Sequence, residues 1–316
     1  MNILVTGGLG FIGHQVVKRL QDHDVAIIDN RNTYGIVSDT ELSSLVRERR
    51  EQIHGYSLYH ATIENTDTVD YLVKKIQPEI IMHLASFPRQ KVVNQRPAAG
   101  ADAMIRGLIN LLESATRYHC RRFVYVSSSM VYGDFAPGAV ESAPCRPRGQ
   151  YGIMKLAGEW LVTDYADRTG MQSVIVRPSA VYGPRDVEDR VVSKFLTAAI
   201  KKQSIPVRGA QETLDFTYVD DAADGIVAAA VQDRAAGNIY NITRGHGRTL
   251  LDAAQLAVDI AGGGEIELCA ADPAFPQRNT LNIDAARRDL GFSPRVDIEQ
   301  GFQLYHDWLV HTLCRS

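Results

Sequence analysis

Short apolar runs alternate with helical periodicities along most of this chain. Ile3, Leu4 and Val5 form a β-type run, after which Phe11, Ile12, Val16, Val17 and Leu20 recur at helical spacing. A second run, Val25 to Ile28, ends in Asp29, and further strand-like runs fall at 57–61, 79–84, 122–127 and 173–177. Helical stretches near 65–75, 101–118 and 151–168 separate or follow them. Strands alternating with helices predict an α/β fold built on a doubly wound parallel sheet. Ligands of such sheets bind beyond the carboxyl ends of the strands, which draws attention to His83–Ser86 and Ser127–Ser129.

Beyond residue 177 the pattern changes. Pro178, Pro184, Pro206, Pro273, Pro276 and Pro294 punctuate shorter elements, which predicts a main domain over 1–177 and a smaller α/β substrate lobe over 178–316. The strand-like segment at 238–243 is expected to return to the main sheet, so the first domain also receives 212–243. The long polar stretch 30–55 predicts a helix over 39–50 with Ser38 or Asp39 as N-cap, positioned either to fold over a ligand or to meet a second subunit. Within it, the mixed-charge run 47–51 reads as a solvated helix face.

Composition acts mainly by exclusion. The 34 basic and 37 acidic residues leave a net charge of −3 with no basic stripe, so nucleic acid is not an expected partner. No apolar stretch approaches membrane-spanning length, and the opening run lacks the charged leader of a signal peptide. Cys120, Cys145, Cys269 and Cys314 show no ligand-like spacing, which fits reduced thiols in a cytoplasmic protein and no bound metal.

Two motifs carry chemistry. Gly7, Gly10 and Gly13 stand between the first strand and the first helix. A turn free of Cβ atoms lets a pyrophosphate approach backbone N–H groups at the positive end of a helix, the signature of a Rossmann-type dinucleotide site. Asp29, at the end of the second strand, is placed to accept ribose hydroxyls and to repel a 2′-phosphate, which favours NAD, although Arg31 nearby would welcome that phosphate. Tyr151 and Lys155 lie one helical turn apart and so share a face. A phenol titrating near its usual value of about 10 is a poor base at neutrality, and an adjacent ammonium favours its phenolate.

Together with TGGLGFIG at 6–13, IIDN at 27–30, HLAS at 83–86, SSSMVYG at 127–133, RPSAVYGP at 177–184, DFTYVDD at 215–221 and LGFSP at 290–294, these motifs resemble the extended short-chain dehydrogenase/reductases. The likeness is to the nucleotide-sugar epimerase/dehydratase branch, UDP-glucose 4-epimerase-like, and it spans almost the whole chain. The resemblance implies that Ser128, Tyr151 and Lys155 are catalytic. It implies that Gly7, Gly10, Phe11, Ile12, Gly13, Asp29, Asn30, Arg31, Thr62, Ile63, Leu84, Ala85, Ser86, Tyr151, Lys155 and Pro178 contact NAD. In the implied chemistry Tyr151 takes the proton of the sugar O4 while hydride leaves C4, and the transient 4-keto sugar turns before the hydride returns. Ser128 and Ser129 would meet the sugar, and helices near 101–118 and 151–168 would pair in a homodimer.

The departures from the pattern narrow the expectation. Family dehydratases carry Asp-Glu where this chain has Ser129 and Met130, and methionine cannot move a proton. Leu214 stands where UDP-sugar enzymes often have arginine, and Ala180 and Met104 replace usual asparagines. Arg89, Arg185 and Arg278 are the candidates to neutralise a diphosphate, since a guanidinium fits phosphate oxygens bidentately. Tyr132 and Tyr182 read as packing residues, and Cys145 as incidental. The leading expectation is C4 epimerisation of a UDP-sugar. A nucleotide-sugar 4-dehydrogenase, ketoreductase or dehydratase-type enzyme is the alternative, and a non-catalytic NAD-binding partner protein the remote one.

Overall fold

The computed structural model describes residues 1–87, 90–187, 190–273 and 275–314. Strands β1 (Asn2–Thr6), β2 (Asp24–Asp29), β3 (Tyr56–His60), β4 (Ile80–His83), β5 (Arg122–Val126), β6 (Gln172–Pro178) and β7 (Asn238–Ile242) form one seven-stranded sheet. Their order is β7-β6-β5-β4-β1-β2-β3, and every neighbouring pair is parallel. β4 and β5 are buried at every position, as their unbroken apolar runs require of strands covered on both faces.

Successive side chains of a strand point to opposite faces, and here each face has its own core. Ile3, Val5, Met82, Val124 and Val176 lie on one face with Val16 of helix Phe11–Lys18 and Ile226 of helix Val219–Val231. Leu4, Ile81, Phe123 and Ile175 lie on the other. They meet Val69 of helix Thr66–Ile76, Leu108 of helix Gly107–Arg117 and Val162 of helix Gly149–Thr169. The order reverses between β1 and β4, so the two halves of the sheet open a crevice at that point.

A third apolar cluster gathers only residues beyond 178, among them Tyr182, Phe195, Leu214, Phe302 and Tyr305. It is built on helices Val191–Ile200, Leu250–Ala261 and Ile298–Leu313 and the parallel pair Ser204–Arg208 and Glu265–Cys269. The segment 238–243 does rejoin the main sheet, where β7 pairs with β6.

The polar stretch after β2 folds as its sequence predicts in one respect and not in another. Helix Asp39–Arg50 forms, capped by Ser38, whose side chain accepts from Glu41 N. Arg49, expected on a solvated face, is instead 4% exposed. Its guanidinium donates to Leu9 O (3.2 Å) and Arg185 O (2.6 Å), tying the glycine turn to the far side of the crevice. Burial pulls Arg49 down to about 10, while Asp186 and Asp29 act to keep it charged. Those contacts join residues remote in sequence, and a mixed-charge run carries no trace of them. Farther forward, the Tyr34 ring lies 3.9 Å from that of Phe87 just beyond β4, so the segment lies across the crevice mouth. Among the described residues no helix is long and apolar enough to cross a membrane.

Candidate active site

The glycine turn is shaped so that side chains would not fit. A Cβ on Gly13 would lie 2.0 Å from Gly7 O, and one on Gly7, whose φ is +74°, would lie 2.7 Å from Ala85 N. Gly7 N donates to Ile28 O (2.8 Å) and Gly10 N to Gly7 O (3.0 Å), which fixes the turn against β2. At the end of β2, the Asp29 carboxylate accepts from Leu9 N (2.9 Å) and Arg31 N (2.7 Å). Burial raises its pKa, and those two backbone N–H groups and Arg49 oppose the rise. This Cβ-free cradle with a carboxylate at the second strand end fits the diphosphate and adenosine ribose of a dinucleotide.

The other residues expected around the cofactor are distributed more widely. Asn30 Oδ1 accepts from Asn32 N (3.1 Å), and Arg31 adopts φ 51° beside Asp29. Leu84, Ala85 and Ser86 continue directly from β4, with Leu84 N bonded to Thr6 O (3.1 Å). Pro178 closes β6. Thr62 is exposed, whereas the Ile63 side chain packs into the sheet core and Asn110 Nδ2 donates to its carbonyl (2.9 Å). Phe11 is buried against Val181, Val219 and Ala222, with Ile12 alongside.

Ser128 and Tyr151 come from elements that approach closely. Past β5, Ser128 is extended and caps a short turn, Ser129–Val131, its Oγ accepting from Met130 N (3.2 Å). Helix Gly149–Thr169 presses onto that turn: a Cβ on Gly152 would sit 2.7 Å from Met130 O. The contact sets Tyr151 beside Ser128, whose hydroxyl acts on its phenol. Burial raises the Tyr151 phenol; the charge of Arg190 and then the Ser128 hydroxyl act against it. Lys155 is 3% exposed, donates to Val126 O (2.8 Å) and stands 5.9 Å from the Tyr151 ring centroid. Burial pulls its ammonium down to about 7, opposed by Glu159.

Arg190, which no motif marked, is a cation whose field favours the phenolate. Its guanidinium lies 5.6 Å from the Phe11 ring centroid, with Nε 3.0 Å from Asp186 Oδ2. The expected substrate contacts are not all brought together. Ser129 is buried and its hydroxyl donates to Ser179 Oγ (3.0 Å). Arg185 lies 4.0 Å from Glu48, toward helix Asp39–Arg50. Arg278 is half-buried, held down to about 10 by burial with Glu212 opposing. Arg89 lies outside the described residues. Tyr132 and Tyr182 pack as expected, the former bonded to Asn241 and the latter within an aromatic cluster.

The sequence model of the NAD dependent epimerase/dehydratase family matches residues 3–243. Protein CapI of Staphylococcus aureus is 28% identical over 98% of both chains, and a dTDP-glucose 4,6-dehydratase of an Actinoplanes species is 27% identical over 95% of both. Among solved structures, UDP-glucuronic acid 4-epimerase from Bacillus cereus, in complex with UDP-glucuronic acid and NAD, superposes with a TM-score of 0.90 at 27% identity. It covers 99% of this chain and 100% of that one.

Proposed function

Because the chain belongs to the NAD-dependent epimerase/dehydratase family, we propose that it is a nucleotide-sugar epimerase that inverts C4 of a UDP-sugar. The observation that carries this reading is the convergence of Ser128, Tyr151 and Lys155 beyond β5 with no second proton carrier in the serine turn. When bound, NAD would supply the acceptor and donor of hydride. Gly7, Gly10, Gly13 and Asp29 would hold it. The Tyr151 oxygen takes the proton from O4 of the sugar and later returns it, while the Ser128 hydroxyl bonds the same oxygen and orients it. The buried Lys155 ammonium favours phenolate on the adjacent residue, as does Arg190.

Loss of water from the sugar would need a second acid and base. In the serine turn, Met130 offers a thioether and the Ser129 hydroxyl is taken by Ser179. That favours epimerisation over dehydration. The UDP assignment draws on the B. cereus enzyme and its bound UDP-glucuronic acid. Arg185 and Arg278, with Arg89, supply the cations for the diphosphate in this reading. It also divides the chain into an NAD-binding domain over 1–177, joined by 212–243, and a substrate lobe over 178–316. Ile153 (52% exposed) and Trp160 (67% exposed) lie one above the other on helix Gly149–Thr169 and would meet a second copy in a homodimer.

The test is product analysis by NMR after incubating the purified protein with UDP-glucuronic acid and UDP-glucose, with no NAD added. The reading expects C4-inverted product and NAD(H) that survives dialysis. A need for stoichiometric added cofactor would replace it with a 4-dehydrogenase. A 4-keto-6-deoxy product would replace it with a dehydratase.

A further inference from the structure

Tyr151, Lys155 and Glu159 follow one another at single helical turns, so they line one face of helix Gly149–Thr169. Glu159 is 3% exposed and fully engaged. Arg177 Nε donates to its Oε1 (2.9 Å) and Arg177 Nη2 to its Oε2 (2.6 Å), a bidentate pair across to β6. Ser127 Oγ donates to the same Oε1. The fork continues outward: Arg177 Nη1 donates to Tyr132 OH (2.9 Å) and to Glu141 O (2.9 Å), and Tyr132 OH donates to Asn241 Oδ1 (2.8 Å). One carboxylate therefore touches the residue directly before Ser128 and stands one turn from Lys155.

A buried Arg–Glu pair is often only a pin between helix and sheet, and replacing such pairs with apolar residues is frequently tolerated. Two features separate this one from a pin. It sits on the same helix face as the reacting side chains, and its carboxylate takes a third donor from the strand end that carries Ser128. We propose that Glu159 is a positioning residue of this site: through Ser127 it sets Ser128 at the end of β5, and it places a carboxylate one turn from Lys155 on the same helix face. This rests on the role given to Lys155 above.

The groups around Lys155 are few. Tyr151 and Glu159 share its helix, the Tyr125 ring centroid on β5 is 5.1 Å from its Nζ, and its charge reaches His83 on β4. His83 is held near 3 by burial and then by the Lys155 charge, and burial raises Tyr125 well above 10. Neither titrates near neutrality. Burial acts against a charged Lys155 and Glu159 acts for it, so loss of the carboxylate lowers the pH at which the amine discharges.

Glu159→Gln keeps shape and most hydrogen bonds but removes the charge. The measurement is the titration of Lys155 by NMR with lysine labelled at Cε, assigned by its absence in Lys155→Met. Wild type and Glu159→Gln are compared, each checked for fold by thermal melting. The expected result is a midpoint about one pH unit lower in the variant, with the alkaline limb of kcat moving by the same amount. Equal midpoints in two folded proteins would overturn the proposal and leave a structural pin, which lowers activity alike at every pH. If Glu159→Gln does not fold, Glu159→Asp carries the test, since it retains the charge one methylene back. It should keep the Lys155 midpoint within about half a unit while turnover falls severalfold, and a midpoint displaced by a unit or more would overturn the proposal. The titration needs no substrate, so it still answers for a protein that turns over no nucleotide-sugar.

Discussion

At the scale of single residues, the chemistry depends on where protons and backbone atoms can go. Tyr151→Phe removes the proton acceptor while leaving the ring among Phe87, Val93 and Met104. Turnover should fall by about 100- to 10,000-fold, with NAD still retained after dialysis; a variant with wild-type turnover would remove Tyr151 from the mechanism. Gly13→Ala is steric, because its new Cβ would lie 2.0 Å from Gly7 O. It should cost several kcal/mol in denaturant unfolding and weaken NAD binding together. Both residues were legible in the sequence, since strand, glycine spacing and helix follow in order and a tyrosine and a lysine lie one turn apart. Arg190 was not. It belongs to no spacing pattern and matters only because the chain beyond β6 folds back over Phe11.

At the scale of elements, the helix Asp39–Arg50 was readable in place and cap, while the burial of Arg49 was not. Ser38 could be foreseen because an N-cap bonds its own next turn; Arg49 could not, because its partners are carbonyls at Leu9 and Arg185. The two positions should therefore behave differently. Ser38→Ala should cost about 1 kcal/mol in urea unfolding and leave NAD affinity unchanged. Arg49→Met frees two carbonyls on either side of the crevice, so NAD affinity measured by calorimetry should drop about tenfold or more, equivalent to roughly 1.4 kcal/mol. Equal NAD affinities in wild type and Arg49→Met would detach this helix from the cofactor site. Central strands such as β4 were legible because parallel strands covered on both faces read as unbroken apolar runs. The cross-chain hydrogen bonds that set the crevice leave no such pattern.

At the scale of the whole molecule, buried bases set the response of stability to pH. Burial holds His14 and His83 near 3, well below the free value of 6.5. Between these values the unfolded chain takes up protons that the folded one refuses, so stability falls as pH falls through the window. From pH 7 to pH 5 each should account for on the order of 2 kcal/mol. A His14→Gln/His83→Gln protein should thus lose less stability over that interval than wild type. Lys155, at about 7 folded against 10.5 free, acts in the same sense at higher pH: its contribution grows as pH rises between those values and is lost as pH falls. These groups belong to elements around one crevice, the one assigned above to nucleotide-sugar chemistry. That claim is tested most directly with UDP-glucuronic acid and UDP-glucose deuterated at C4, incubated without added NAD and followed by NMR. The expected product is a C4-inverted sugar that keeps its deuterium at C4. Unchanged sugar with both substrates, or a product with the label lost from C4, would contradict it.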